Sequence, residues 1–118
     1  MPDNFQTLPS VTPAAAIAAQ GRGTQMLDVR KAPARRASGK GIEYAEWVDP
    51  FDLDHSHPLM SSDVPLAVFC AHGHEVSQFA CALLRFHGCD AVFVVGGFEA
   101  LVQVGAPVTP LPLTELSP

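Results

Sequence analysis

Two short apolar stretches without a single polar residue constrain the fold of this chain most. One spans residues 65–69 and ends directly before Cys70, and the other spans residues 91–95. A strand with one face in water alternates apolar and polar residues, whereas a strand covered on both faces does not. Strands covered on both faces belong mostly to parallel sheets between helices. We therefore predict an α/β fold, a small parallel sheet with helices on both faces.

The remaining segments alternate in the same way. Thr12 and Pro13 are typical of a helix start, and Gly21 is typical of the end of that helix. Helical spacing predicts a helix over residues 77–87, which Gly88 ends. The predicted apolar face of that helix comprises Phe79, Leu83 and Phe86, flanked by Ala80 and Leu84. The other predicted elements are a strand at 26–29, a weak helix at 31–37, a half-buried strand at 43–48 and a short helix ending at 104.

The length of the chain predicts one domain. Its 118 residues, 47% of them apolar, suffice for one core without disulfides or metal. Residues 109–118 contain three prolines and are predicted to form a loosely held tail. We therefore assign residues 1–118 to a single domain.

The charge distribution argues against nucleic acid as a partner. The net charge is −5, and six of the seven basic residues precede position 41, so no basic face carries interleaved aromatic residues.

No apolar run approaches the roughly 18 residues of a membrane span. Three cysteines in apolar surroundings do not resemble a disulfide scaffold. We expect a cytoplasmic protein that contacts neither nucleic acid nor membrane.

Cys70 occupies the position that best predicts chemistry. It follows a buried strand and precedes a short loop, residues 71–76, which contains Gly73 and leads into a helix. Backbone N–H groups at a helix N-terminus stabilise anions, and such a setting lowers a thiol pKa to roughly 3.5 to 7.5. Glu75 opposes ionisation, whereas protonated His72 and His74 would favour it. We predict a reactive thiolate at Cys70.

Three short motifs follow one another over nearly the whole chain. They are a strand motif at Leu27, Asp28, Val29 and Arg30, a cysteine loop at Val68, Phe69, Cys70 and Gly73, and a closing segment at 96–100 with Gly105 and Pro107. In their order and approximate spacing, these motifs resemble the rhodanese-like sulfurtransferase family.

The cysteine loop departs from the pattern of active family members. Glu75 stands where these usually have an arginine, and Ser77 comes one residue after the expected hydroxyl residue. A loop with one extra residue is similar in length to the phosphatase-like branch. That branch closes its loop with an arginine, and Val76 or Ser77 cannot replace it. We therefore do not expect phosphatase activity.

The resemblance implies a two-step sulfur transfer. Cys70 would accept a sulfane sulfur from thiosulfate or a persulfide, and a thiophilic acceptor would remove it. The implied partners are a small sulfur-containing anion or persulfide donor and, as a further candidate, a protein sulfur acceptor; no cofactor is implied. The alternatives are a catalytically weak anion-binding or sulfur-carrier module and a thiol-dependent oxyanion reductase of arsenate or chromate type. Cys70 is the expected catalytic residue, with Ala71, His72, Gly73, His74, Glu75, Val76 and Arg30 as the substrate-binding set.

The other candidates have structural interpretations. Cys81 and Cys89 are expected to be small core residues rather than resolving thiols. Arg30 is also expected to pair with Asp28 near the loop. Cys70, His72 and His74 lie too close in the chain to span a tetrahedral site without a fourth ligand, so no metal is expected.

Overall fold

Strands and helices alternate along the chain, as the apolar pattern predicts. A computed structural model describes residues 8–116. Two single 3₁₀ turns, Pro50–Asp52 and Pro58–Ser61, lie between the fourth and fifth strands. The strands are β1 Ser10–Val11, β2 Gln25–Asp28, β3 Lys40–Ile42, β4 Glu46–Trp47, β5 Leu66–Phe69, β6 Ala91–Val94 and β7 Val108–Pro110. The helices are α1 Pro13–Gln20, α2 Ala32–Ser38, α3 Glu75–Phe86, α4 Gly97–Gln103 and α5 Leu113–Leu116.

Five strands form a parallel sheet in the order β1-β6-β5-β2-β4. The strand β5 is central, with Val68 beside Leu27 of β2 and Phe93 of β6. Ligand crevices of such sheets lie beyond the carboxyl ends of the strands. Cys70 directly follows the carboxyl end of β5, so the topology places it at such a crevice.

Helices cover both faces of the sheet, which confirms the predicted α/β architecture. One core packs β2, β5 and β6 against α3, and the other packs them against α1 and α4. Successive residues of a strand face opposite sides, so β5 contributes to both cores. Leu66, Val68 and Cys70 belong to the core under α3, and Ala67 and Phe69 belong to the core under α1 and α4.

Only part of the predicted apolar face of α3 is buried. Ala80 and Leu84 are buried, and Leu83 is partly buried against the same core. Phe79 and Phe86 are 71% and 78% exposed. The real buried stripe and the predicted one share the helical spacing of three and four residues, so periodicity alone does not separate them. Three of the four side chains in the real stripe are small, which lets the helix lie close to β5 and β6. That stripe consists of Ser77, Ala80, Cys81 and Leu84.

The strand predicted at 43–48 is shorter than expected. Only Glu46–Trp47 pairs with the sheet, because the chain turns at Tyr44, whose φ is +67°. Two hydrogen bonds from other segments hold the turn. The Gln25 side chain donates to the Tyr44 carbonyl at 3.0 Å, and the Glu43 N–H donates to the Pro107 carbonyl at 2.9 Å.

Part of the segment predicted as a loose tail, 109–118, takes regular structure. The strand β7 pairs antiparallel with β3, and Leu111 is buried. The Glu115 carboxylate accepts a hydrogen bond from the Arg35 guanidinium. Proline has no N–H to donate, and an edge strand tolerates it because part of the backbone of such a strand faces solvent rather than a neighbouring strand. Residues 117–118 of the predicted tail lie outside the described range.

Within residues 8–116, no helix has the length and apolar character that crossing a membrane requires.

Candidate active site

Cys70 lines a cavity at the carboxyl end of β5. The residue is 6% exposed, and the cavity has a volume of about 250 Å³. Its side chain points to the side of the sheet that α3 covers. The predicted site residues meet here, because six of them share the cavity with Cys70. They are Arg30, Ala71, His72, His74, Glu75 and Val76.

Gly73 and Gly97 allow the cysteine loop to lie directly against the junction of β6 and α4. Gly73 has φ +75°, and a Cβ there would lie 2.5 Å from the Gly96 nitrogen. Gly97 has φ +60°, and a Cβ there would lie 2.6 Å from the Gly73 nitrogen and would overlap the Cys70 carbonyl oxygen. Only glycine tolerates both the positive φ and this approach.

The start of α4 orients the first peptide groups of the loop. The Phe98 N–H donates to the Cys70 carbonyl at 2.7 Å, and the Glu99 N–H donates to the Ala71 carbonyl at 3.2 Å. Because a trans peptide is planar, the N–H of each bonded peptide group points away from α4. The sequence-predicted Gly73 therefore acts through its backbone, which packs against Gly97, a contact that the sequence did not indicate.

Ser77 is the site residue that sequence reasoning missed. It is fully buried on the first turn of α3. The Cys70 thiol donates to the Ser77 Oγ at 3.2 Å, and that hydroxyl donates to the His74 carbonyl at 3.3 Å. In the ionised state the hydroxyl can turn and donate to the sulfur instead. The signal in the sequence was a hydroxyl residue within the first turn of the predicted helix.

Hydrogen bonds lower the pKa of Cys70 despite its burial. Burial is the largest single influence and raises the pKa of the thiol. The Ser77 hydroxyl and the backbone N–H groups of Ser77, His74 and Gly73 favour the thiolate, and together they outweigh burial, so the pKa lies below its ordinary value of 9.0. The donors around the sulfur thus extend one residue beyond the predicted loop, 71–76.

Arg30 reaches the cavity, but its guanidinium is already bound. Its Nε and Nη2 donate to both carboxylate oxygens of Asp28 at 2.8 to 3.1 Å, which confirms the predicted pairing. Nη2 also donates to the Lys40 carbonyl, and Nη1 donates to Ser38 Oγ. The Phe98 ring lies 4.0 Å below the guanidinium carbon. One Nη1 hydrogen is left, and a substrate-binding role for Arg30 stays a prediction that depends on it.

The charged and imidazole side chains of the loop lie at the rim of the cavity. His72, His74 and Glu75 are exposed. His72 Nδ1 lies 3.9 Å from a carboxylate oxygen of Glu99, with both side chains about two-thirds exposed. Exposed charges act weakly on a buried group because water screens them. The stabilisation of the Cys70 thiolate therefore comes from the backbone and Ser77.

The other two cysteines are buried and unpaired. Burial raises the pKa of Cys81 to about 11, although the charge of Arg85 opposes this. The Cys89 thiol donates to the Leu59 carbonyl at 3.3 Å. Among residues 8–116, no cluster of three or more histidine, cysteine or acidic side chains could hold a metal ion.

Comparison with known proteins identifies relatives through structure rather than sequence. No protein-family profile matches the chain, and no curated protein matches it in sequence. A rhodanese-related protein from Thermoplasma volcanium superimposes with a TM-score of 0.72 at 26% identity, over 86% of this chain and 97% of that one.

Two further solved structures share the fold at lower identity. A thiosulfate sulfurtransferase from Pseudomonas aeruginosa matches with a TM-score of 0.73 at 21% identity, over 88% of this chain and 20% of that one. A Rhodopseudomonas palustris protein of unknown function, described as a possible tyrosine phosphatase, matches with a TM-score of 0.72 at 22% identity, over 86% and 85% of the two chains.

Proposed function

We propose, from the premise that this chain is a rhodanese-like domain, that it is a sulfurtransferase whose Cys70 carries the sulfur. The donor is thiosulfate or a persulfide, and the acceptor is a small thiophile or a protein thiol. The observation that carries the proposal is the Cys70 thiol, which has a lowered pKa and lines an open cavity. A thiolate is the nucleophilic form of cysteine.

The first half-reaction transfers the outer sulfur of the donor to Cys70. With thiosulfate, the thiolate attacks the sulfane sulfur, the S–S bond of the donor breaks, and sulfite leaves with the bonding electrons. The product is a Cys70 persulfide anion. The N–H groups of Gly73, His74 and Ser77, which stabilise the thiolate, supply donors close to this second anion as well.

The second half-reaction restores the enzyme. The acceptor, cyanide or a thiolate, attacks the outer sulfur, and the Cys70 thiolate leaves with the electron pair of the S–S bond. A leaving group of lower pKa departs more readily. The hydrogen bonds that lower the pKa of Cys70 therefore serve both steps.

A sulfur-carrier module without turnover is the second candidate, and the bound state of Arg30 favours it. Asp28 neutralises Arg30, which lines the cavity, and Glu75 adds a negative charge at the rim. A carrier would form the persulfide but would not release sulfur to small acceptors. The oxyanion-reductase alternative needs a second reactive thiol, and the burial of Cys81 and Cys89 gives it no support.

Intact-mass measurement and turnover test the proposal together. After treatment with thiosulfate or an organic persulfide, the wild-type chain should gain one sulfur atom, and cyanide should remove it as thiocyanate over many cycles. Cys70→Ser should do neither. Cys89→Ser is the matched control, because Cys89 is also 6% exposed and a hydroxyl can keep its bond to the Leu59 carbonyl.

Each outcome decides between the candidates. Equal turnover by wild type and Cys70→Ser would reject the catalytic role of Cys70. A stable gain of sulfur on Cys70 without turnover would reject the enzyme and support the carrier.

A further inference from the structure

An apolar cavity adjoins the Cys70 cavity. Its volume is about 290 Å³, and it shares three lining residues, Lys31, Glu75 and Val76, with the cysteine site. Two aromatic side chains, Phe51 and Phe79, form its wall and are 81% and 71% exposed. Exposed aromatic side chains beside a reactive group are typical of a binding surface.

The fold holds both aromatic side chains in the open. The Asp49 carboxylate accepts a hydrogen bond from the Phe51 N–H at 3.0 Å and fixes the 3₁₀ turn that carries Phe51. Phe79 faces outward because α3 packs on the sheet through Ser77, Ala80 and Cys81. The 3₁₀ turn and α3 therefore each place a phenylalanine at the wall of this cavity.

The charges around Cys70 do not suit a small dianion. Arg30 is neutralised by Asp28 at 2.8 Å. Lys31 and Glu75, which line both cavities, carry opposite charges. His72 lies near Glu99. With histidine counted as neutral, the formal charges of these residues sum to −1. A donor with one negative charge or none therefore requires less compensation than thiosulfate with two.

We infer that the preferred sulfur donor is an organic sulfur compound of low charge, whose apolar substituent lies between Phe51 and Phe79 while its sulfane sulfur reaches Cys70. This inference rests on the proposed function. In the transfer step, the Cys70 thiolate attacks the outer sulfur of a persulfide R–S–SH, the S–S bond of the donor breaks, and R–S⁻ leaves with the electron pair. The apolar substituent R stays in the apolar cavity during the attack and orients the S–S bond.

A comparison of three donors separates the effect of donor charge on kcat/KM from the effect of apolar contact. Thiosulfate is a dianion without a substituent, and the methanethiosulfonate and benzenethiosulfonate anions each carry one charge and differ only in methyl against phenyl. Each releases the corresponding sulfite or sulfinate when its outer sulfur moves to Cys70. We expect kcat/KM with cyanide as acceptor to rise about tenfold from the methyl to the phenyl donor, and to be lowest for thiosulfate.

Two substitutions test whether the preference for the phenyl donor comes from the apolar cavity. Phe79→Ala and Phe51→Ala should each lower kcat/KM for the phenyl donor by about tenfold and leave the methyl donor within about twofold. Phe86→Ala is the matched control, because Phe86 is on the same helix, is 78% exposed and packs near His55 and His87 instead. Phe86→Ala should leave kcat/KM unchanged for both donors.

Failure of the inference differs from failure of the proposed function. No sulfur transfer from any of the three donors, with no gain of mass on Cys70, would reject the function. Transfer with equal kcat/KM for the phenyl and methyl donors, or an equal effect of Phe79→Ala and Phe86→Ala, would overturn the inference and leave the function standing.

Discussion

Cys70 and Cys81 are both buried cysteines on the same side of the central sheet, yet their pKa values move in opposite directions. Cys70 is 6% exposed and its pKa is lowered, whereas Cys81 is fully buried and its pKa is raised to about 11. Burial raises the pKa of both thiols. The difference therefore comes from what surrounds each sulfur rather than from its depth.

The supply of hydrogen-bond donors separates the two sites. Cys81 lies in the middle of α3, where backbone N–H groups are used by the preceding turn, and only the charge of Arg85 favours its thiolate. Cys70 precedes α3, where the first N–H groups of the helix have no partner within it. The same helix thus activates the thiol before its start and leaves the thiol in its body inert.

Alkylation rates should show the largest effect of this difference. At pH 7, iodoacetamide should modify Cys70 more than a hundredfold faster than Cys81, because the thiolate fraction falls tenfold for each unit of pKa. Peptide mapping of partially labelled protein measures the ratio. In denaturant the two rates should converge, and comparable rates in the native protein would contradict the comparison.

Gly97→Ala should disrupt the Cys70 site because it displaces the backbone of the cysteine loop. A Cβ at Gly97 overlaps the Cys70 carbonyl and lies 2.6 Å from the Gly73 nitrogen. We expect a loss of about 2 to 3 kcal/mol in the free energy of unfolding, and a higher pKa for Cys70 because the loop must move. Urea unfolding and the pH dependence of alkylation measure the two effects.

Gly23→Ala is the control for Gly97→Ala. Gly23 also has a positive φ, +105°, but a Cβ there meets nothing within 4 Å. It should cost only the backbone strain, about 1 kcal/mol, and leave the pKa of Cys70 unchanged. An equal loss in both variants would show that the contact with the cysteine loop does not matter.

The Cys70 site was predictable to the extent that it depends on chain order. An apolar run, a cysteine and a loop glycine that lead into a helix are adjacent in sequence, and the parallel sheet then places the cysteine at the carboxyl end of β5. The partnership of Gly73 with Gly97 was not predictable, since it joins loops 24 residues apart through a contact that only the folded sheet creates.

The residues around Cys81 show that the apolar pattern alone does not tell which face of a helix is buried. Phe79 and Phe86 have the spacing of a core face, yet Ser77 and Cys81 are buried in their place. Close packing on β5 and β6 selects small side chains, and this depends on the distance between helix and sheet rather than on hydrophobicity. Ser77 was missed for the same reason, because burial of a polar residue is explained only by its bonds to Cys70 and His74.

Alkaline pH should destabilise the protein through Cys81. Because the folded pKa of about 11 lies above the ordinary value of 9.0, the stability that Cys81 contributes is complete below pH 9 and is lost as the pH rises toward 11. The full loss is about 2 to 3 kcal/mol. Cys81→Ala should lack this component, and the difference between the unfolding free energies of variant and wild type at pH 8 and pH 11 measures it. A difference that does not change with pH would show that Cys81 titrates as in the unfolded chain.

Ser77→Ala should shift the Cys70 thiol toward ordinary behaviour, with a smaller effect. The hydroxyl is one of four donors that favour the thiolate, and its loss leaves the N–H groups of Ser77, His74 and Gly73 in place. A hydrogen bond to a charged group contributes about 1.5 kcal/mol or more, so the pKa of Cys70 should rise by about one unit and the alkylation rate at pH 7 should fall about tenfold. His74→Ala is the matched control, because it removes an exposed imidazole and keeps both the N–H and the carbonyl. If the control raises the pKa as much as Ser77→Ala does, the rim imidazole rather than the buried hydroxyl stabilises the thiolate, and the difference between Cys70 and Cys81 would then rest on side-chain charge.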